Sequence, residues 1–172
     1  MKLVLNTVAM SLTSIFLMTI LTLGITKLHA QNVDVKPKMT QQELKQSQQE
    51  LVSIFFAAAK TGQNEVVKEF LSHGFPVDVK NNQGFTPLMM AAYYGHQNVV
   101  STLLSHGADR CVRDNKGHTA LMGAIVKAEW SIAKQLRKVD CDVNAKKTNQ
   151  MTAEEFARYF GQEEKFKKLT EK

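Results

Sequence analysis

The chain has 172 residues, of which 44% are hydrophobic, so it is one domain's worth of sequence and long enough to bury a core. Its formal net charge is +6, and two of its basic residues, Lys2 and Lys27, lie in the N-terminal segment. The mild excess of positive charge that remains is not gathered into a basic stripe. Composition therefore does not indicate nucleic-acid binding.

Residues 1–30 predict a targeting segment. Lys2 supplies a positive start, residues 3–26 carry no charge, and Leu28-His29-Ala30 resembles a signal peptidase site, although Leu28 is large for its position. The uncharged run is also long enough to span a bilayer, which leaves an uncleaved anchor as the alternative. With either outcome we expect the body of the protein to be exported, which in a bacterium means the periplasm.

Residues 31–48 are expected to hold a linker and the start of an N-terminal capping helix. Thr40 and Glu43 have the spacing of a capping box, and apolar residues recur at helical spacing from Leu51 onward. The pattern predicts one helix from about residue 41 to 61. Its polar front half is expected to cover the end of the domain.

Residues 84–109 predict two short helices with clear boundaries. Thr86 can cap a helix N-terminus, and Pro87 suits the first helical position because its missing N–H is not needed there. Gly95 is expected to end the first helix. Gly107 is expected to end the second in a left-handed conformation.

The same residues recur at intervals of 33 along the chain, which indicates a repeat of helix–turn–helix units. The pattern G-x-T-P-L-x-x-A-A-x-x-G-H-x-x-V-V-x-x-L-L-x-x-G-A-D in residues 84–109 resembles the ankyrin consensus. The resemblance covers about residues 48–172, or four repeats. The positions that recur are Gly62 and Gly95, Gly74 and Gly107, Gly84 and Gly117, Thr86, Thr119 and Thr152, and Ala91, Ala124 and Ala157.

The resemblance implies an all-α ankyrin-repeat solenoid of about four helix–turn–helix repeats with short hairpin-like loops. The repeat domain would occupy residues 49–172, with repeats at about 49–81, 82–114, 115–147 and 148–172. Arg137 and Asp140 depart from the family pattern in the third repeat. We expect Arg137 to lay its stem on the stack with its charged head in water, and Asp140 to adopt a left-handed conformation.

Nothing in the sequence predicts an enzyme. Cys111 and Cys141 fall in adjacent loops, and we expect reduced thiols, because packed helix layers lie about 8–10 Å apart whereas a disulfide needs Cα atoms within about 7 Å. No Cys/His pair has zinc spacing, and the histidines are expected to be structural. Ser131 and Lys134 form an S-x-x-K without its companion motifs, which we attribute to chance. No metal and no catalytic residue are predicted.

Ankyrin proteins usually bind partners through loop tips and exposed inner-helix residues on the concave side. Aromatic residues and arginine are also enriched at binding hot spots. We expect Tyr93 and Tyr94 at the centre of such a surface, whereas Tyr159 and Phe160 are equally well explained by packing on the C-terminal cap. The candidate partner-binding residues are Asn82, Gln83, Phe85, Tyr93, Tyr94, Arg113, Asn115, Lys116, His118, Val126, Lys127, Met151, Tyr159 and Phe160.

Resemblance to exported bacterial ankyrin proteins implies a non-enzymatic, monomeric interaction module in the periplasm. Its partner would be another exported enzyme, which it restrains or assists, for example in oxidative defence. No nucleic acid is expected, and membrane contact would come only through an uncleaved N-terminal segment. The alternative hypothesis is a carrier of a small cofactor such as haem, using His118 or methionines near the aromatic residues.

Overall fold

A computed structural model describes residues 40–143, 145 and 148–169. Within these residues every regular element is a helix, and none of these helices has the length and apolar character needed to cross a membrane. The expected targeting segment and most of the linker that follows it lie outside the described residues. The helices are α1 (Gln41–Thr61), α2 (Asn64–Ser72), α3 (Pro87–Tyr93), α4 (Gln97–Ser105), α5 (Ala120–Val126), α6 (Trp130–Leu136), α7 (Ala153–Tyr159) and α8 (Glu163–Lys168).

Helix α1 has the bounds that its sequence predicts. Its first half is exposed on all sides, and its second half buries Phe55, Ala58 and Ala59. The Phe55 ring lies 5.2 Å from the Phe70 ring and 5.1 Å from the Phe75 ring, measured between centroids. An aromatic cluster therefore joins α1 to α2 and to the loop that follows α2.

The remaining helices form two series. Helices α3, α5 and α7 begin 33 residues apart, and so do helices α2, α4, α6 and α8. Three threonines cap α3, α5 and α7: Thr86 Oγ1 accepts the Met89 N–H at 3.3 Å, Thr119 Oγ1 accepts the Met122 N–H at 3.4 Å, and Thr152 Oγ1 accepts the Glu155 N–H at 3.1 Å. Each bond satisfies a backbone donor that the first helical turn leaves unpaired. The recurrence of threonine every 33 residues thus has a direct structural cause.

The helices stack in two layers. In one layer α3 packs on α5 and α5 on α7, and in the other α2 packs on α4 and α4 on α6. Within each pair from α3 to α8, the first helix also packs on the second. Ala91, Ala124 and Ala157 occupy the same repeat position and are completely buried, because a small side chain lets the first helices approach closely.

Two exceptions to the repeat pattern occur in the third repeat. Ala128 stands where Gly95 stands one repeat earlier, and it keeps the left-handed conformation with φ of 58°, which costs an alanine about 1–2 kcal/mol. The expectation that Asp140 is left-handed is wrong, because the described non-glycine residues with positive φ are Ala128 and Asn149. Helix α6 is also shorter than α4, with 7 residues against 9. The chain therefore enters the loop after α6 by a different path from the one it takes after α4.

The path of the loops also determines how close the two cysteines lie. The prediction of reduced thiols is wrong, because Cys111 and Cys141 form a disulfide with their Cα atoms 5.0 Å apart. The spacing of 8–10 Å holds between helix axes, whereas both cysteines lie in loops beyond the helix ends.

Nearby, the Asp78 carboxylate accepts the Asp109 N–H at 3.1 Å, and burial raises the pKa of that carboxyl group.

Arg137 also differs from its prediction. Its guanidinium carbon is 5.1 Å from the centroid of the Phe166 ring. Its Nε atom is buried and has no hydrogen-bond partner among the described residues. The charged head therefore makes a cation–π contact with an aromatic ring of α8, a partner that the prediction did not include.

Candidate binding groove

Helices α3, α5 and α7, with the loops leading into α3 and α5, surround a cavity of about 500 Å³. We call this cavity the inner groove. Its surface is mostly apolar, and its size falls within the range of ligand sites in proteins. The lining residues are Asn81, Gln83, Phe85, Met89, Met90, Tyr93, Tyr94, Asp114, His118, Thr119, Gly123, Val126, Phe156 and Phe160.

Tyr93 and Tyr94 lie together at the end of α3, and the two residues are 40% and 43% exposed. Their rings meet edge to face, with centroids 5.2 Å apart. The Lys127 Nζ atom lies 5.1 Å from the centroid of the Tyr93 ring, and the Lys60 Nζ atom lies 5.4 Å from that of Tyr94. The tyrosine pair is therefore bordered by a cation on each side.

His96 helps to position Lys60. Its Nε2 atom lies 2.8 Å from the carbonyl oxygen of Lys60, a distance that makes a hydrogen bond across 36 residues of sequence. This bond ties the last turn of α1 to the start of α4. The structural role that the sequence predicts for His96 agrees with this contact. The part of the chain that is described contains no group of three or more His, Cys, Asp or Glu side chains able to hold a metal ion.

Gly123 opens the middle of the groove. It lies within α5, and a Cβ atom added there would be 3.6 Å from the Cβ of Tyr93, which is ordinary contact. A larger side chain at this position would fill the space between α3 and α7. Glycine is also unfavourable inside a helix, so its presence here lowers stability while keeping the groove open.

We expect Gly123→Ala to raise the free energy of unfolding by about 0.5–1 kcal/mol, because alanine is the better helix former and has room at this position. Urea unfolding followed by circular dichroism measures the change. Gly107→Ala is the control: it also has room, but its φ of +85° should make the same substitution destabilising. A loss of stability in Gly123→Ala would mean that α3 and α5 pack more tightly than the 3.6 Å contact indicates.

One wall of the groove is built around Asp114, which is almost completely buried. Its Oδ1 atom accepts the backbone N–H groups of Lys116 and His118, both at 2.8 Å, and its Oδ2 atom lies 3.1 Å from His118 Nδ1. The His118 ring then contacts Phe156, with 5.2 Å between centroids. One repeat earlier, Asn81 Oδ1 accepts two backbone N–H groups in the same way, each at 3.0 Å.

We expect Asp114→Ala to lower the free energy of unfolding by about 1–3 kcal/mol, because two loop N–H groups lose their acceptor. Asp114→Asn should cost much less, since Asn81 fills this role in the preceding repeat. Thermal unfolding of both variants measures the difference. Equal losses in the two variants would show that the negative charge, and not the acceptor, is what the loop requires.

The groove unites half of the residues that the sequence nominates. Lys127 borders it through Tyr93, and Asn115 acts between loops, because its Nδ2 atom donates to the Asn82 carbonyl at 3.0 Å. Lys116, Met151 and Tyr159 lie outside the lining, and Tyr159 is 74% exposed. The nominated residues that line the groove are Gln83, Phe85, Tyr93, Tyr94, His118, Val126 and Phe160.

Arg113 has a different place from the one expected. We nominated it as a free contact residue, but only 14% of its side chain is exposed. Its guanidinium donates to the carbonyl oxygens of Gly117 and Met151 and to Asp142 Oδ1, the last at 3.2 Å. These bonds hold the loop between α4 and α5 to the loop between α6 and α7, beside the disulfide, so we correct the role of Arg113 to one within the scaffold.

Several groove residues were missed because the nomination followed only the loop tips and the inner-helix positions that ankyrin proteins usually expose. Lys60 precedes Tyr93 by one repeat length, so the same period could have identified it. Met90, Gly123 and Phe156 also share one repeat position, and a glycine inside a helical pattern is itself a signal for close packing or function. Asp114 gave no such signal, because two of its three partners are backbone N–H groups.

A model of ankyrin repeats in three copies matches the sequence over residues 25–114 and again over residues 54–147. The two matches together span well over half of the chain. The chain belongs to the ankyrin-repeat family. No curated protein matches it.

Membership of this family confirms the predicted all-α ankyrin solenoid and identifies a protein-interaction module. Ankyrin repeats are typically non-catalytic. Helices α7 and α8 lie beyond the matched residues but keep the ankyrin spacing and the threonine cap. The inner groove lies on the first helix of each repeat pair, α3, α5 and α7, and on the loops leading into α3 and α5. This is the side that ankyrin proteins usually present to partners.

Proposed function

We propose that the inner groove binds a segment of another protein, and that the chain acts as a non-enzymatic module in the periplasm. In this proposal the partner is an exported enzyme, which the chain restrains or assists, for example in oxidative defence. The observation that carries the proposal is the exposed Tyr93–Tyr94 pair over an open, mostly apolar groove. Tyrosine suits a protein interface because it offers apolar area and a hydroxyl group together.

The tyrosine pair is not needed to complete the core. Beneath it Leu88, Ala91 and Ala92 are already completely buried. Exposed apolar area of this kind, gathered at one place, is typical of an interaction surface. This division between a finished core and an open groove supports binding as the function of the face.

Two observations support export. The Cys111–Cys141 disulfide is of a kind that persists in oxidising compartments and is rare in the cytosol of most bacteria. The uncharged N-terminal run with its Lys2 start is typical of a secretory leader.

Site-specific photo-crosslinking in the producing cell tests the proposal. A photoreactive amino acid at Gln83, which lines the groove, should form an adduct with a discrete partner protein. The same amino acid at Lys68, an exposed residue of α2, is the control and should not give that adduct. Mass spectrometry of the adduct would identify the partner and its compartment. Failure of position 83 to crosslink, or identical adducts at both positions, would contradict the proposal.

A cofactor carrier is the second candidate, and one observation favours it. His118 faces an apolar groove with its Nδ1 atom held by Asp114, an arrangement that orients metal-ligating histidines in other proteins. Absorbance in the Soret region after addition of micromolar haem, lost in His118→Ala, would support this candidate. An unchanged spectrum would remove it.

A further inference from the structure

We infer that the segment bound by the inner groove presents an apolar or aromatic side chain with acidic residues beside it. This inference rests on the proposed function and specifies its partner. It comes from the cations that lie beside the tyrosine pair and in the loops that lead into the groove.

The two lysines beside the tyrosine pair have no ion pair among the described residues. Lys60 and Lys127 are both exposed, and each ammonium group lies over a tyrosine ring. A carboxylate close to either ring would give the lysine a stronger partner than the ring does, because charge-assisted hydrogen bonds exceed exposed cation–π contacts. The lysines are thus placed to meet carboxylates that arrive with an apolar side chain.

The loops that lead into the groove add to this positive rim. Residues 80–85 and 113–118 carry two exposed lysines, Lys80 and Lys116, and one acidic residue, Asp114, while the Arg113 guanidinium is already paired with Asp142. The Asp114 carboxylate is already occupied by two backbone N–H groups and His118. An incoming acidic segment therefore meets cations at the rim and no free carboxylate on the groove wall.

Selection from a random twelve-residue peptide display library tests this inference, with the full chain kept in a mild detergent. We expect selected peptides to combine an aromatic or large aliphatic residue with Asp or Glu within three positions. Replacing the acidic residues of a selected peptide with Asn or Gln should weaken its binding at least tenfold. Lys60→Gln with Lys127→Gln should weaken it at least fivefold, and raising the salt concentration should weaken it further.

The controls separate this inference from the proposal on which it rests. Lys68→Gln removes one positive charge outside the groove and should leave the affinity unchanged. Acid-free peptides whose binding disappears in the Tyr93→Ala, Tyr94→Ala variant would overturn the inference and leave the proposed function standing. Peptides that bind this variant normally would overturn both. Competition by a twelve-nucleotide oligothymidylate would assign the lysines and tyrosines to single-stranded nucleic acid and overturn the inference as well.

Discussion

Replacing Cys111 and Cys141 with serine is expected to lower the free energy of unfolding by about 3–4 kcal/mol. The disulfide joins residues 30 positions apart, and most of its effect comes from restricting the unfolded chain. In the folded chain it joins the loop between α4 and α5 to the loop between α6 and α7, where the Arg113 guanidinium also bonds to Asp142. The remaining contacts are therefore expected to keep the variant folded but less stable.

Thermal unfolding measures this effect, and a loss of that size corresponds to a fall in Tm of roughly 6–15 °C for a domain of this length. A reducing agent supplies the matched control. It should lower the Tm of the parent to that of the double variant and leave the variant unchanged. If the parent melts at the same temperature with and without reductant, the disulfide does not contribute as expected.

The Tyr93→Ala, Tyr94→Ala variant is expected to bind a groove partner well over ten times more weakly. A central hot-spot residue costs on the order of 2 kcal/mol when truncated, and about 1.4 kcal/mol is a tenfold change in affinity. Stability should change little, because both side chains are exposed above a core that is already closed. The expected result is a large loss of affinity at a nearly constant Tm.

Isothermal titration with the partner crosslinked at position 83, or with a peptide selected by the groove, measures the loss. Lys68→Ala is the control from the opposite layer and should alter neither affinity nor Tm. Normal binding by the double variant would place the docking surface elsewhere. Unfolding of the variant would show that the tyrosines are packing residues.

The fold was predictable because one short signal repeats. Thr86, Thr119 and Thr152 recur at a fixed interval, and each caps a helix in the structure. A local interaction that involves residues three positions apart is visible in any single repeat, and its recurrence fixes the positions of the helices. The bounds of α1 were predictable for the same reason, since they depend on local polarity and spacing.

The disulfide and the role of Arg113 were not predictable because they depend on the path of the loops. Arg113 bonds to the Met151 carbonyl, 38 residues away, and a backbone acceptor gives no signal in a side-chain pattern. The 5.0 Å between the cysteine Cα atoms likewise depends on how α6 ends. Of the groove, exposed aromatic residues such as Tyr93 could be nominated, whereas the opening at Gly123 depends on the distance between two helices.

The disulfide also determines how the chain would respond to a pulling force. If the domain were stretched from its two ends, tension would pass from Cys111 directly to Cys141 and bypass α5 and α6, which lie between them. The bond would withhold about 100 Å of contour length, because the two cysteines are 30 positions apart in the sequence. The α3 wall of the groove, which holds Tyr93, would bear the load while the α5 wall did not. The two walls would therefore separate before α5 itself was extended.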